Sequence, residues 1–188
     1  YNYSPVGVII NSGTYVNDEG DKCLSLKMFS GGEEKELLFD NDGATDRTNG
    51  WIDGYVNRDT KNGVNSFSTG EVLQYSERDG KCAAFRILLT KEQIYNNDYY
   101  EKNLADYGAL SEELFYSELY TSLGIVDKKF SDKILLMGNT VQGYLRTIPL
   151  NGSIYVYDRR TKVLIKGDNS DIEQGGSVFV QMRYGIAN

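Results

Sequence analysis

The chain contains no histidine. Without it neither a serine nor a cysteine nucleophile has its usual imidazole base, so Ser-His-Asp and Cys-His catalysis are excluded. Zincin motifs and histidine-ligated metal sites go with it. The only two cysteines, Cys23 and Cys82, are too few for a disulfide scaffold or a four-cysteine zinc site. No apolar run approaches the roughly 20 residues of a membrane-spanning helix. Positive charge is scarce as well. The net charge is −7, and the densest basic stretch, Arg159, Arg160, Lys162 and Lys166, is flanked by aspartates on both sides. Such a surface repels phosphate backbones, which argues against nucleic acid as a partner. Any enzyme built on this chain would have to use carboxylate, lysine or tyrosine chemistry.

Against two prolines stand 20 glycines and 15 tyrosines. Glycine reaches positive φ in tight turns and tyrosine packs well on a half-buried sheet, so the mixture suits short strands joined by glycine turns. At 188 residues the chain can bury a real core, as one large β domain or two small ones. Its N-terminus has no signal-peptide pattern, and Tyr1 in place of methionine suggests a processed or trimmed chain.

Internal similarity is the most informative signal. Tyr3-Ser4-Pro5-Val6-Gly7-Val8-Ile9 and Tyr120-Thr121-Ser122-Leu123-Gly124-Ile125-Val126 share one pattern of tyrosine, hydroxyl, glycine and aliphatics. Each is followed by a polar turn and a strand opening with Asp-Lys, at Asp21-Lys22 and Asp132-Lys133. Then come Leu37-Leu38-Phe39-Asp40 and Tyr155-Val156-Tyr157-Asp158, each a short apolar strand ending in aspartate. The last pair is Phe67–Leu73 and Ile172–Phe179, aligned with Gly70-Glu71-Val72 on Gly176-Ser177-Val178.

These landmarks predict an all-β, mainly antiparallel protein of two tandem units. The first spans 1–90 and the second 115–188, where the last strand is short or cut off. Residues 91–114 read as a partly helical connector, with Ser111 as a helix cap and acids in its first turn. Five or six short strands per unit need their edges protected, and a small barrel or SH3/OB-like roll is the economical closure.

Several constellations invite chemistry, and each has a plainer reading. Asp40, Asp42 and Asp46 stand in a stretch that resembles a calcium loop, but the glycine comes too early for an EF-hand and no glutamate closes it. A looser calcium site or a solvated Asx-rich turn both fit, and Asp168-Asn169-Ser170-Asp171 is read the same way. No other cofactor is expected. Trp51, with Tyr55 nearby, offers a stacking platform for a sugar ring, or else anchors a long loop. Glu33, Glu34, Asp53, Glu71, Glu112 and Glu113 are the acids from which a hydrolase would draw a pair, yet no pair stands out from charged surface. Asn151-Gly152-Ser153 is both a glycosylation pattern and a β-turn. Cys23 and Cys82 follow similar turns and are expected to be reduced and unlinked.

Phe67–Leu73, Tyr155–Asp158 and Ile172–Met182 resemble repeated small β domains of cell-surface proteins from clostridia-like Gram-positive bacteria, often found near S-layer homology modules. The sequence has no S-layer homology repeat. The resemblance implies an extracellular or cell-surface accessory or spacer module whose partners are other domains of the same protein or cell-wall components. It implies no reaction. A glycan-binding module using Trp51 and exposed tyrosines, and a carboxylate-dependent hydrolase, are the alternatives.

Overall fold

The computed structural model describes residues 5–31, 33–48, 54–96, 119–136, 147–158, 160–161, 163–183 and 186–187. The chain is all-β and mainly antiparallel, and among the described residues a six-residue α-helix, α1 (Lys91–Asn96), stands at the start of the expected connector. It divides into two compact units, Tyr1–Lys91 with Ala109–Phe115, and Glu92–Gly108 with Tyr116–Asn188. Ser111 lies outside the described residues.

The first unit contains β1 (Val6–Val16), β2 (Lys22–Ser30), β3 (Glu33–Leu38), β4 (Thr45–Asp46), β5 (Val72–Arg78) and β6 (Lys81–Leu89). They form one sheet in the order β3-β2-β1-β5-β6-β4. Period-2 alternation sends Leu24, Leu26 and Met28 of β2 into the core, where they meet Ile9, Leu37, Leu73, Tyr75 and Ile87. Phe39, Phe67 and Phe85 close that core as a triad with centroids 5.2–6.3 Å apart. β1 and β2 pair continuously except at Ile10, an extra residue between Ile9 and Asn11 that forms a β-bulge.

The second unit contains β7 (Leu119–Lys129), β8 (Lys133–Leu136), β9 (Thr147–Pro149), β12 (Ser177–Arg183) and β13 (Ile186–Ala187) in the order β13-β12-β7-β8-β9. A separate two-stranded sheet joins β10 (Ile154–Asp158) to β11 (Val163–Gly167). Val126, Ile134, Leu136 and Ile148, on β7, β8 and β9, are the buried centre of the five-stranded sheet. Tyr155–Asp158 therefore belongs to a different sheet from β7, whereas Leu37-Leu38 lies in the main sheet of the first unit. The sequence match between those two segments is not a structural one.

Among the described residues no closed barrel is formed. Parts of β3 lie within 8 Å of β6 by Cα, as do parts of β9 and β13, so each sheet curls. Among the described residues no backbone ladder joins those strands. In the first unit the reason is visible: β4 pairs in parallel with the free edge of β6, Thr45 against Ala84 and Asp46 against Phe85. The edge is covered by a loop segment instead of being consumed by closure.

Candidate functional site

Thr48, Thr60 and Glu71, the most deeply buried polar side chains among the described residues of the first unit, all belong to the long strap between β3 and β5, described over residues 39–48 and 54–71. Its two halves are tied together by backbone and hydroxyl bonds. Gly43 N–H donates to the Asp40 carbonyl at 2.9 Å, Ala44 N–H to Thr60 Oγ1 at 2.9 Å, and Asn62 N–H to the Asn41 carbonyl at 3.0 Å. Thr60 and Thr48 are both buried. The strap is also sewn to β6: Arg47 N–H reaches the Phe85 carbonyl at 2.7 Å, and Ile87 N–H reaches Thr48 Oγ1 at 2.9 Å.

Asp46 is one hub of this network. Its Oδ1 accepts from the Thr48 N–H at 3.0 Å and the Thr48 hydroxyl at 2.5 Å. Its Oδ2 accepts from the Tyr55 hydroxyl and, at 2.8 Å, from the Arg58 N–H. Burial together with the bond to Asp46 raises the Tyr55 hydroxyl pKa above the ordinary tyrosine value.

Glu71, just before β5, is the second hub and is fully enclosed. Arg58 Nη1 and Nη2 donate to its Oε1 and Oε2, both at 2.8 Å, in the planar two-point geometry that guanidinium favours. Ser68 N–H donates to Oε1 at 2.7 Å and Lys91 N–H to Oε2 at 3.1 Å. Arg58 is itself mostly buried, donates to the Ser66 carbonyl, and lies over the rings of Phe67 and Tyr55 at 5.5 and 5.8 Å. Breaking such a pair typically costs roughly 3–5 kcal/mol, because the surviving charge stays buried.

Chemically, this arrangement holds a loop. Every carboxylate oxygen of Asp46 and Glu71 already accepts two hydrogen bonds, and a general acid or base needs an oxygen that a substrate can reach. Glu33, another of the acids considered for hydrolysis, is exposed on β3. Asp53, Glu112 and Glu113 lie outside the described residues.

Of the aspartates considered for calcium, Asp40 and Asp42 are exposed and Asp40 Oδ1 accepts from the Asn41 N–H, while Asp46 points into the strap. Among the described residues no three Asp, Glu or Cys side chains are grouped as a metal site requires. Asp168 caps the 3-10 turn Asn169–Asp171, with Ser170 bonded to its carboxylate and Asp171 bonded back to its own N–H. The Ser170 hydroxyl and N–H, both donating to it, hold the Asp168 carboxyl below the ordinary value. Trp51 lies outside the described residues. Tyr55 is half-buried, with its hydroxyl given to Asp46. Cys23 and Cys82 are buried and unlinked, on β2 and β6. Sequence reasoning missed Arg58 altogether and left Glu71 among generic surface acids; no local pattern marks the pair.

Comparison with known proteins yields no match: neither a family model, nor a curated protein, nor a solved structure is significantly similar to this chain. The fold and the strap define an all-β protein, and the residues themselves carry any functional reading.

Proposed function

We propose that the chain is a non-catalytic spacer or accessory module of a cell-surface or secreted protein, made of one five-stranded unit used twice. The observation that supports this is a strand-by-strand correspondence between the two sheets. Read from the third strand, their orders are β3-β2-β1-β5-β6 and β9-β8-β7-β12-β13. The central strand has its bulge at Ile9/Asn11 in one and Val126/Lys128 in the other. Aligning the bulges places Gly7 on Gly124, Met28 on Leu136, Leu26 on Ile134 and Leu37 on Ile148.

The turn entering the fourth strand corresponds bond for bond. Gly70 N–H donates to the Ile9 carbonyl, as Gly175 N–H does to Val126, both at 2.8 Å. Ile9 N–H donates to Glu71, as Val126 N–H does to Gly176, both at 2.9 Å. Gly70 and Gly175 share a left-handed backbone, with φ of 88° and 81°. Carried through the core, this alignment puts Val126, Ile134, Leu136, Ile148, Leu150, Ile172, Val178 and Val180 on Ile9, Leu26, Met28, Leu37, Phe39, Phe67, Leu73 and Tyr75. Each described residue of the second apolar cluster has a counterpart in the first on this alignment.

The alignment corrects two sequence matches. Glycine 70 falls on Gly175, one residue before the position expected, and Asp132 falls on Leu24 because the first hairpin is longer.

A spacer made of two such units should yield to tension one unit at a time. Stretching single chains should give two unfolding events, with length gains of about 30 and 25 nm at roughly 3.4 Å per residue. One event releasing the whole chain would refute the two-unit reading. Saturable binding to a polysaccharide array, or turnover of one, would refute the non-catalytic spacer role.

A further inference from the structure

The aligned turn exposes one difference between the copies that bears on how the first unit works. Where the second has Gly176, the first has Glu71. At Gly176 a side chain would start against the Glu173 carbonyl, 3.0 Å from an added Cβ. At Glu71 the side chain instead turns inward, is wholly buried, and meets donors from three separate places. Arg58 comes from the strap, Ser68 from the turn before β5, and Lys91 is the first residue of α1, where the chain leaves the last strand of the unit. Thr90, immediately before, is also buried.

A fully buried carboxylate is a costly way to close a turn that Gly176 closes without one. Its geometry suits a different task. Oε1 serves the strap and the turn, and Oε2 serves the strap and the exit. Loosening either the Arg58 fork or the Lys91 bond leaves the same buried charge short of donors, so the two attachments support one another. Asp46 adds a second tie on the strap side through the Arg58 N–H. Phe67 and Tyr55 flank the guanidinium and keep it from swinging out to solvent.

We propose that Glu71 is a joint coupling the strap to the segment leaving the first unit, so that order in one holds order in the other. This deepens the spacer reading, since a module that sets spacing needs its exit fixed to its body.

The test is amide hydrogen exchange of the full chain, resolved by NMR, in Glu71→Gln and Arg58→Lys variants. Glutamine keeps the shape but loses the charge and one acceptor; lysine keeps the charge but cannot make the fork. Both should speed exchange at Arg58, Ser68 and Lys91 by about 10-fold or more, while amides of the β1–β2 hairpin stay within about 2-fold. If Arg58→Lys speeds exchange at Arg58 but leaves Lys91 unchanged, the coupling is overturned. Uniform loss of protection across the unit in both variants overturns it too, because Glu71 would then serve only general stability. Either failure leaves the strand correspondence intact, as no bond between those strands involves the Glu71 side chain.

Discussion

Asp46→Asn probes the strap with a change of one atom. Asp46 Oδ1 accepts two donors from Thr48, and Oδ2 accepts the Tyr55 hydroxyl and the Arg58 N–H. An amide nitrogen placed at either oxygen faces a backbone N–H that cannot reverse its role. The hydroxyls can rotate and become acceptors; the N–H of Thr48 or of Arg58 cannot. At least one hydrogen bond to a charged acceptor is lost, worth roughly 1.5–3 kcal/mol, and a backbone donor is left without its partner. Asp46 is partly exposed, so water relieves some of that penalty and a total of about 2–3 kcal/mol is expected. For a domain of this size that lowers Tm by roughly 8–24 °C. Tyr55→Phe removes one donor and leaves Asp46 with three, so about 1 kcal/mol is expected. Urea unfolding followed by circular dichroism measures both. A loss below about 0.5 kcal/mol for Asp46→Asn, or a larger loss for Tyr55→Phe, would refute the view of Asp46 as the strap's anchor.

Two further perturbations follow from the same geometry. Gly43 has φ of 74° and an added Cβ would meet Thr60 Oγ1 at 2.7 Å, whereas Gly20 has φ of 89° with nothing within 4 Å. Gly43→Ala should therefore cost about 2–3 kcal/mol and Gly20→Ala only about 1 kcal/mol, and equal losses in denaturant titrations would contradict the close approach. Burial, with Glu77 nearby, pushes the Cys82 thiol up to about 12 from an ordinary 9.0. The folded chain then keeps a proton that the unfolded chain loses, so stability should fall between pH 9 and 12 by at most about 1.4 kcal/mol per pH unit from this group. Cys82→Ala should flatten that slope, and an unchanged slope would show that other groups control it.

What the sequence disclosed of the fold is set by how locally each signal is written. The all-β class was legible because turn glycines and two-residue alternation are local. The segments around Gly7 and Gly124 were recognisable as strands because small and aliphatic residues stand on consecutive positions there. Of the doubled glycine at 175–176 it is Gly175 that takes the left-handed backbone, which nothing in the sequence distinguishes from its neighbour. Asp-Lys opens a strand in both hairpins, but hairpin length sets how far along the ladder that opening falls, and length is not encoded in the pair. Tyr155–Asp158 looks like any strand ending in aspartate; pairing with Val163–Gly167 makes it a separate hairpin, and pairing is a long-range property. Barrel closure failed for a similar reason, since nothing in Thr45-Asp46 announces that it will lie along β6.

The candidate site was less legible still, and the cause is physical. Arg58 and Glu71 stand thirteen positions apart on either side of a turn, and each alone looks like a surface charge. Only after the core brings Phe67 against Phe39 and Phe85 do the strap and the start of β5 face one another. In the proposed repeat the apolar positions come first, with Leu150 and Ile172 taking the places in the second cluster that Phe39 and Phe67 hold in the first. The polar hubs come second and differ between the sheets, with Asp46 and Glu71 serving one strap and Asp168 capping a short turn in the other. The proposed repeat, one core with unlike connections built on it, is the arrangement expected when strand packing specifies the fold and the loops specialise. In the first unit that specialisation is directed inward. Asp46 and Glu71, two of the carboxylates that sequence alone would offer to a cation or a substrate, are bonded to the chain's own hydroxyls, amides and guanidinium, and their chemistry is used in holding the strap closed.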